Sequence, residues 1–202
     1  MAAEQNFISL ITRFAAPLTP QPAALARLVA ASRVITAPKG VAVLKAGDVA
    51  ELLFFVESGL LRYYYIDAES GDERTGQFFD EGAVVTDAAS FLTGAPATQT
   101  VEAVEASVVF TIPRAALLRG YDEDHAIERF GRKMVEGGFL GSQRRAANLL
   151  NMSPDERYSH FVENRPAIAR RVPQYLLASF LGVTPESLSR IRGRMARPKD
   201  RG

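Results

Sequence analysis

The chain has 202 residues, of which 47% are hydrophobic, and its formal net charge is +1 at pH 7. It contains no cysteine and only two histidines, His125 and His160, which excludes disulfides and iron–sulfur clusters and argues against a metal or haem site. Since no apolar run is long enough to span a bilayer and no signal-peptide pattern is present, we expect a cytoplasmic protein without a membrane partner.

The N-terminal part of the chain changes from a helical to a strand-like pattern near residue 33. Residues 1–32 have helical apolar spacing, and residues 33–112 contain short β-type runs separated by Gly turns. Short strands at this spacing are typical of an all-β sandwich or barrel. We therefore predict a sensor unit over residues 1–120, with strands at Val41–Leu44, Leu52–Glu57, Leu60–Ile66, Thr75–Phe79, Thr98–Val104 and Ser107–Ile112.

A short helix at Pro113–Arg119 is followed by a long helical segment, which we place at residues 121–151 as a connector and dimer helix. Its candidate dimer stripe consists of Ile127, Phe130 and Met134, spaced as one helix face. The glycines beyond it, including Gly138 and Gly141, have two interpretations. They allow close approach of a partner helix, or they make a soft segment that reorganises when the sensor changes state.

The C-terminal residues 152–202 have the pattern of a helix-turn-helix. A capping pattern begins at Ser153, and a later helix over Pro173–Leu181 is followed by Gly182, a residue that can leave a helix at positive φ. Thr184 is a good N-cap for a second helix, which directs Leu188 and Ile191 inward. Its remaining side chains are mostly polar or basic, which is typical of a helix that enters the major groove of DNA.

The distribution of charge supports this interpretation more than the net charge does. Residues 144–202 hold 12 Lys+Arg and 5 Asp+Glu, a balance of +7, whereas residues 1–143 have a balance of −6. Most of the C-terminal basic groups are arginines, which suit bidentate contact with guanine and phosphate. A basic C-terminal unit attached to an acidic N-terminal unit indicates a sensor joined to a DNA-binding module.

Taken in order, the motifs resemble those of the Crp/Fnr family of bacterial transcription regulators. In the N-terminal half these are Pro38-Lys39-Gly40, Ala46-Gly47-Asp48, Phe54-Phe55-Val56, Ser58-Gly59 and Leu60–Tyr64. In the C-terminal half the resemblance rests on the eleven residues from Leu181 to Ile191. It implies an α+β fold: an antiparallel cyclic-nucleotide-binding-type β-roll of the double-stranded β-helix or jelly-roll type, a long dimerisation helix, and an all-α helix-turn-helix without a clear wing.

The resemblance also implies which residues bind DNA. The family's Glu-x-x-Ser-Arg set matches Glu186, Ser189 and Arg190, which we expect to contact bases, with Arg190 on guanine and Glu186 on a cytosine amino group. A near-palindromic operator with a TGA-containing half-site follows as a hypothesis. Candidate phosphate contacts are Arg170, Arg171, Thr184, Ser187, Arg192 and Arg194, followed by the basic tail at 197–201.

The sensor half departs from the pattern of members that bind cyclic AMP. Asp87 falls where those members have a Glu, and Ala97 falls where they have the phosphate-binding Arg. Without that Arg, a cyclic phosphate loses its charge-assisted bidentate partner. We therefore expect no cofactor and no cyclic AMP at the equivalent pocket, formed by Thr86, Asp87, Ala97 and Thr98, and the effector is left open.

The sequence therefore predicts a homodimeric, DNA-binding transcription regulator that is not an enzyme. If it is an activator, the resemblance implies RNA polymerase as a further partner. The alternative from another class is a small-molecule-binding β-roll protein whose helical unit contacts protein rather than double-stranded DNA. The Glu-x-x-Ser-Arg set and the C-terminal charge balance favour the DNA-binding interpretation.

Overall fold

We describe a computed structural model of the chain, covering residues 2–196. Eight strands follow two N-terminal helices, and a helical region completes the described part. The helices are α1 (Ala2–Ala15), α2 (Pro22–Ala31), α3 (Ala88–Thr93), α4 (Arg114–Glu123), α5 (His125–Asn151), α6 (Pro154–Asn164), α7 (Pro166–Arg171), α8 (Gln174–Leu181) and α9 (Pro185–Ala196). The strands are β1 (Arg33–Ala37), β2 (Ala42–Leu44), β3 (Leu52–Ser58), β4 (Leu61–Ile66), β5 (Glu73–Phe79), β6 (Val84–Val85), β7 (Thr100–Ala103) and β8 (Ser107–Pro113).

The strands form two four-stranded antiparallel sheets, with the orders β1-β8-β3-β6 and β2-β7-β4-β5. Consecutive strands lie in opposite sheets except for the paired strands β4 and β5, which gives the predicted β-roll and confirms the mixed α+β class. The apolar faces of both sheets enclose the main core, and α1 covers one side of it through the fully buried Phe7. Strand β1 and the short elements β6 and α3 are additions that the sequence patterns did not predict.

The long helix α5 begins one residue after a break at Asp124, later than the predicted start. The Asp124 carboxylate caps it by accepting hydrogen bonds from the backbone N–H groups of Ala126 and Ile127, at 2.7 and 3.3 Å. At its other end the predicted cap at Ser153 is present as a capping box with Glu156, which starts α6. These caps divide the helical region into α4, α5 and α6.

The helical region after α5 packs directly on the β-roll. Leu60, Phe78 and Val104 of the β-roll share one apolar cluster with side chains of α6, α7, α8 and α9. Around this cluster, the Ser179 hydroxyl of α8 donates to the carbonyl oxygen of Glu73 at 2.8 Å and accepts from the backbone N–H of Thr75 at 2.9 Å. The strands of the β-roll and the C-terminal helices are therefore in extensive contact within one chain.

Candidate nucleic-acid interface

The turn between α8 and α9 has the geometry that its sequence predicts. Gly182 ends α8 at φ +69°, and its backbone N–H donates to the carbonyl oxygen of Ser179 at 3.2 Å. The following N–H of Val183 reaches back to Ala178 at 3.0 Å, so the last carbonyls of α8 are satisfied as in a Schellman motif. Thr184 then accepts from the backbone N–H of Ser187 at 3.2 Å, and α9 begins.

Helix α9 has a buried face and an exposed face. Leu188 and Ile191 are almost completely buried, and Leu188 belongs to the apolar cluster below α8. Glu186, Ser189 and Arg190 are exposed, and their spacing of three and four residues places them on one helix face. The structure therefore brings the three predicted base contacts together on the side of α9 that faces solvent.

Hydrogen bonding and charge favour an ionised Glu186. Its own backbone N–H, the Thr184 hydroxyl and the nearby charge of Arg190 lower the pKa of Glu186. An ionised carboxylate is purely an acceptor, as contact with a cytosine amino group requires. The Arg190 guanidinium donates to the Ser187 hydroxyl at 3.1 Å and is otherwise directed to solvent. Glu186 and Arg190 thus present an acceptor and a donor side by side.

The predicted phosphate contacts lie in different environments. Arg170 on α7 and Arg192 on α9 are exposed, and Thr184 and Ser187 lie at the start of α9. Arg194 forms a bidentate ion pair with Asp155 of α6 at 2.7 and 2.8 Å. The basic tail at 197–201 lies outside the described residues.

Arg171 is held by the β-roll. Its guanidinium donates to Glu81 at 2.8 and 2.9 Å, and it also pairs with Glu105. These hydrogen bonds lower the pKa of Glu81 to about 2. Arg171 therefore links α7 to the β-roll, and its role as a phosphate contact stays a prediction.

The predicted dimer stripe is wrong for Ile127 and Phe130, because both side chains have no exposed surface. They pack inside the chain against α1, where the rings of Phe130 and Phe7 lie edge to face with centroids 6.0 Å apart. Met134 packs against the same core. Gly138 and Gly141 face open space, since an added Cβ at either would have no neighbour within 4 Å, and this favours neither of their two interpretations.

A second apolar stripe on α5 was missed. Val135, Phe139 and Leu149 are exposed by 47%, 62% and 41%. They belong to a repeat with alternating intervals of four and three residues, the spacing of a coiled-coil seam, whose other positions are Ser142 and Ala146. This alternating spacing could have been used to predict the exposed stripe from the sequence. The apolar pattern of Ile127 and Phe130 is stronger and led to the other face instead.

The polar groups of the predicted effector segment form hydrogen bonds within the chain. The buried carboxylate of Asp87 caps α3 by accepting from the backbone N–H of Ser90 at 3.0 Å. It also accepts from the backbone N–H and hydroxyl of Thr98 at 2.9 and 3.3 Å. The Thr86 hydroxyl donates to the carbonyl oxygen of Leu52, and Ala97 is buried with its N–H donating to the carbonyl oxygen of Asp48. The four predicted pocket residues do lie together, but their polar groups serve the fold.

Two further features bear on the possible classes of protein. Within residues 2–196, no helix has the length and apolar character needed to cross a membrane. The same residues contain no group of three or more His, Cys, Asp or Glu side chains positioned to hold a metal ion.

Comparison with known proteins agrees with this architecture. Residues 34–124 match the family model of the cyclic nucleotide-binding domain. The chain is 28% identical to the fumarate and nitrate reduction regulatory protein of Yersinia pestis, over 77% of this chain and 66% of that protein, just under two thirds of its length.

Solved structures show the same fold over most of the chain. FixK2 from Bradyrhizobium japonicum matches with a TM-score of 0.74 and 19% identity, covering 81% of this chain and 84% of its own. A crp/fnr-family protein from Eubacterium rectale matches with a TM-score of 0.72 and 18% identity, covering 87% and 83%. Residues 34–124 therefore form a cyclic nucleotide-binding domain. The resemblance to the Crp/Fnr regulators is confirmed.

Proposed function

We propose that this protein is a homodimeric transcription regulator that binds a near-palindromic operator through α9. The observation that carries the proposal is the exposed face of α9, where Glu186, Ser189 and Arg190 stand together above a buried Leu188 and Ile191. A helix supported from below with a donor and an acceptor on its outer face suits the major groove. The relatives described above are regulators, which favours the same role.

Dimerisation is proposed to use the exposed stripe of α5. Val135 and Phe139 line an open apolar depression of about 450 Å³ together with Leu92, Tyr121 and Gly131. A second copy of α5 related by a twofold axis would cover this surface, and the heptad-like spacing continues it towards Leu149. The same twofold axis would present one copy of α9 to each of the two inverted half-sites of a palindrome.

The dimer proposal predicts that Phe139→Asp gives a monomer. A charge placed in a buried apolar seam is unpaired and strongly destabilises the interface. Sedimentation of the full chain would measure the change, with Val41→Asp, another exposed apolar position on the β-roll, as the matched control. A dimer unaffected by Phe139→Asp would contradict the assignment of this face.

The operator proposal is tested by selecting bound sequences from random duplex DNA with the full-length protein. We expect a palindrome whose half-sites lie one helical turn apart, about 34 Å. Arg190→Ala should cost about 1–3 kcal/mol at the selected site and relax preference at one base pair. Arg192→Ala, on the same helix, should weaken selected and random DNA alike and lower the salt dependence.

If Arg190→Ala lowered the affinity for the selected site and for random DNA equally, base contact by this residue would be contradicted. Absence of any DNA binding, with capture of a protein ligand by the same helices, would favour the alternative of a small-molecule-binding β-roll with a protein-binding helical unit.

We propose further that the β-roll does not use cyclic AMP. In the predicted pocket segment, the Asp87 carboxylate already accepts hydrogen bonds from Ser90 and Thr98. A cyclic phosphate needs a cationic partner, and Ala97 does not supply one. The effector of the protein would then be another molecule, bound elsewhere or differently.

A further inference from the structure

A cavity lies where the long helix, the helix-turn-helix unit and the β-roll meet. We call it the joint cavity. It has a volume of about 230 Å³ and lies between α5, α6, α8 and β5. Four arginines contribute to its lining, Arg144, Arg145, Arg157 and Arg165. Amides such as Gln77 and Asn148 are also present, and no aspartate or glutamate is found among the lining residues in the described part of the chain.

Arg145 is a cation held by neutral groups. Its guanidinium donates to the carbonyl oxygens of Thr75 and Phe180 at 3.0 and 2.8 Å, and it lies 4.1 Å above the Phe180 ring centroid. Within residues 2–196 it forms no ion pair. Burial lowers the pKa of Arg145, and the charge of Arg157 acts in the same direction. Its positive charge is therefore poorly compensated.

Arg157 is held in the same way. It donates to the carbonyl oxygens of Leu181 and Met152 at 2.9 and 2.6 Å, which fixes its position without neutralising its charge. Arg165, in contrast, is paired with Asp80 at 3.0 Å. Arg144 is exposed on α5 and has no hydrogen bond or ion pair to any described residue, so its guanidinium is available to a ligand. Three of the four arginines thus bring uncompensated charge to one cavity.

We infer that the joint cavity binds a small anion of the phosphate class, either inorganic phosphate or the phosphoryl group of a small metabolite. Arginine guanidinium groups match tetrahedral oxyanions in geometry and charge. Two of the guanidinium groups are already held by carbonyls, so little side-chain ordering is required on binding. The cavity is smaller than the roughly 300–1,000 Å³ typical of sites for drug-sized ligands, which suits a single phosphoryl group rather than a nucleotide.

Binding at this position would connect elements that belong to different parts of the molecule. Arg145 lies on α5 but donates to β5 and to α8, and Arg157 lies on α6 but donates to the C-terminal end of α8. An anion between them would stabilise the docked arrangement of the helix-turn-helix unit. That regulatory consequence rests on the proposed function, whereas anion binding itself does not.

The test is thermal unfolding of the full chain in increasing inorganic phosphate at constant ionic strength, repeated with phenyl phosphate. We expect the midpoint to rise and then follow a saturable binding curve for at least one of the two, because a ligand that binds only the folded state stabilises it. A response to both identifies the phosphoryl group as sufficient, and a response to phenyl phosphate alone identifies a phosphorylated metabolite. Arg144→Gln should weaken binding by about tenfold, the value of one charge-assisted hydrogen bond.

The matched control is Arg119→Gln, which removes an exposed arginine of α4 that does not line the cavity. Equal weakening by both variants would show non-specific screening and overturn the proposal, as would the absence of a saturable shift with either ligand. If neither ligand binds but Arg144→Gln weakens duplex DNA binding, the arginines serve the DNA backbone and the small-anion site is wrong. Since the main readout contains no DNA, its outcome is independent of operator binding.

Discussion

The segment around Asp87 and the joint cavity differ in how their charged side chains are compensated. Asp87 accepts hydrogen bonds from the N–H groups of Ser90 and Thr98 and from the Thr98 hydroxyl. Its carboxylate is therefore already hydrogen-bonded within the chain. Arg145 and Arg157 donate only to carbonyl oxygens, and neither is paired with a carboxylate in the described part of the chain. The segment that the sequence marks as an effector pocket is therefore internally satisfied. The proposed site for a charged ligand lies instead where the β-roll and the C-terminal helices meet.

The largest effect that this comparison predicts is on Asp87. Asp87→Ala removes the cap of α3 and leaves the N–H of Thr98 without its acceptor, so the free energy of unfolding should fall by about 3 kcal/mol. Urea denaturation would measure this, with Asp122→Ala at an exposed position as the control. A loss no larger than that of the control would show that Asp87 is not structural and would return it to the candidate ligand site.

Arg145→Met should cost less in a phosphate-free buffer, about 1 kcal/mol. The substitution removes hydrogen bonds to Thr75 and Phe180 but also removes a poorly compensated cation, and the two effects oppose each other. It also removes the contact of the guanidinium with the Phe180 ring. Unfolding in urea would give the value, and any stabilisation by phosphate should disappear in the variant. A loss as large as that of Asp87→Ala would contradict the contrast between the two regions.

The smallest effect concerns the ion pair of Glu81 with Arg171, which joins the β-roll to α7. Hydrogen bonding to Arg171 lowers the pKa of Glu81 from 4.5 to about 2 in the folded chain. Because the folded value is the lower one, the stabilisation is fully present above the unfolded pKa and is lost as pH falls from about 4.5 towards 2. The pair is partly exposed, so its contribution should be under about 1 kcal/mol.

Glu81→Gln should therefore remove part of the acid-induced loss of stability, while changing stability little at neutral pH. Thermal midpoints between pH 5.5 and pH 3, compared with those of Glu69→Gln at an exposed position, would show it. An unchanged pH profile would mean that this ion pair does not hold the helical unit on the β-roll.

Local sequence signals predicted most of the β-roll and the helix-turn-helix, because Gly turns and caps act within a few residues. Gly182 and Thr184 are examples, since each determines a helix boundary through its own conformation or side chain. Strand β1 was not predicted because four of its five residues are exposed, so it lacks the alternation of a half-buried strand. Its position depends on pairing with β8, far along the chain.

The dimer face and the joint cavity required the structure for a different reason. Periodicity shows that Ile127 and Phe130 share an apolar face, but it cannot show whether α1 or a second chain covers that face. The joint cavity combines Gln77, Arg145, Arg157 and Phe180, which come together only when α8 docks on β5. No pattern of local spacing contains that information.

The contact between Ser179 and β5 has a consequence for association between molecules. Strand β5 is at the end of its sheet, where backbone groups have no neighbouring strand. Ser179 occupies the carbonyl oxygen of Glu73 and the N–H of Thr75, and Arg145 occupies the carbonyl oxygen of Thr75. An uncovered edge strand is a template for pairing with another polypeptide. The helical unit therefore also protects the sheet against intermolecular strand addition, and a sensor domain separated from it by proteolysis would be prone to aggregate through β5.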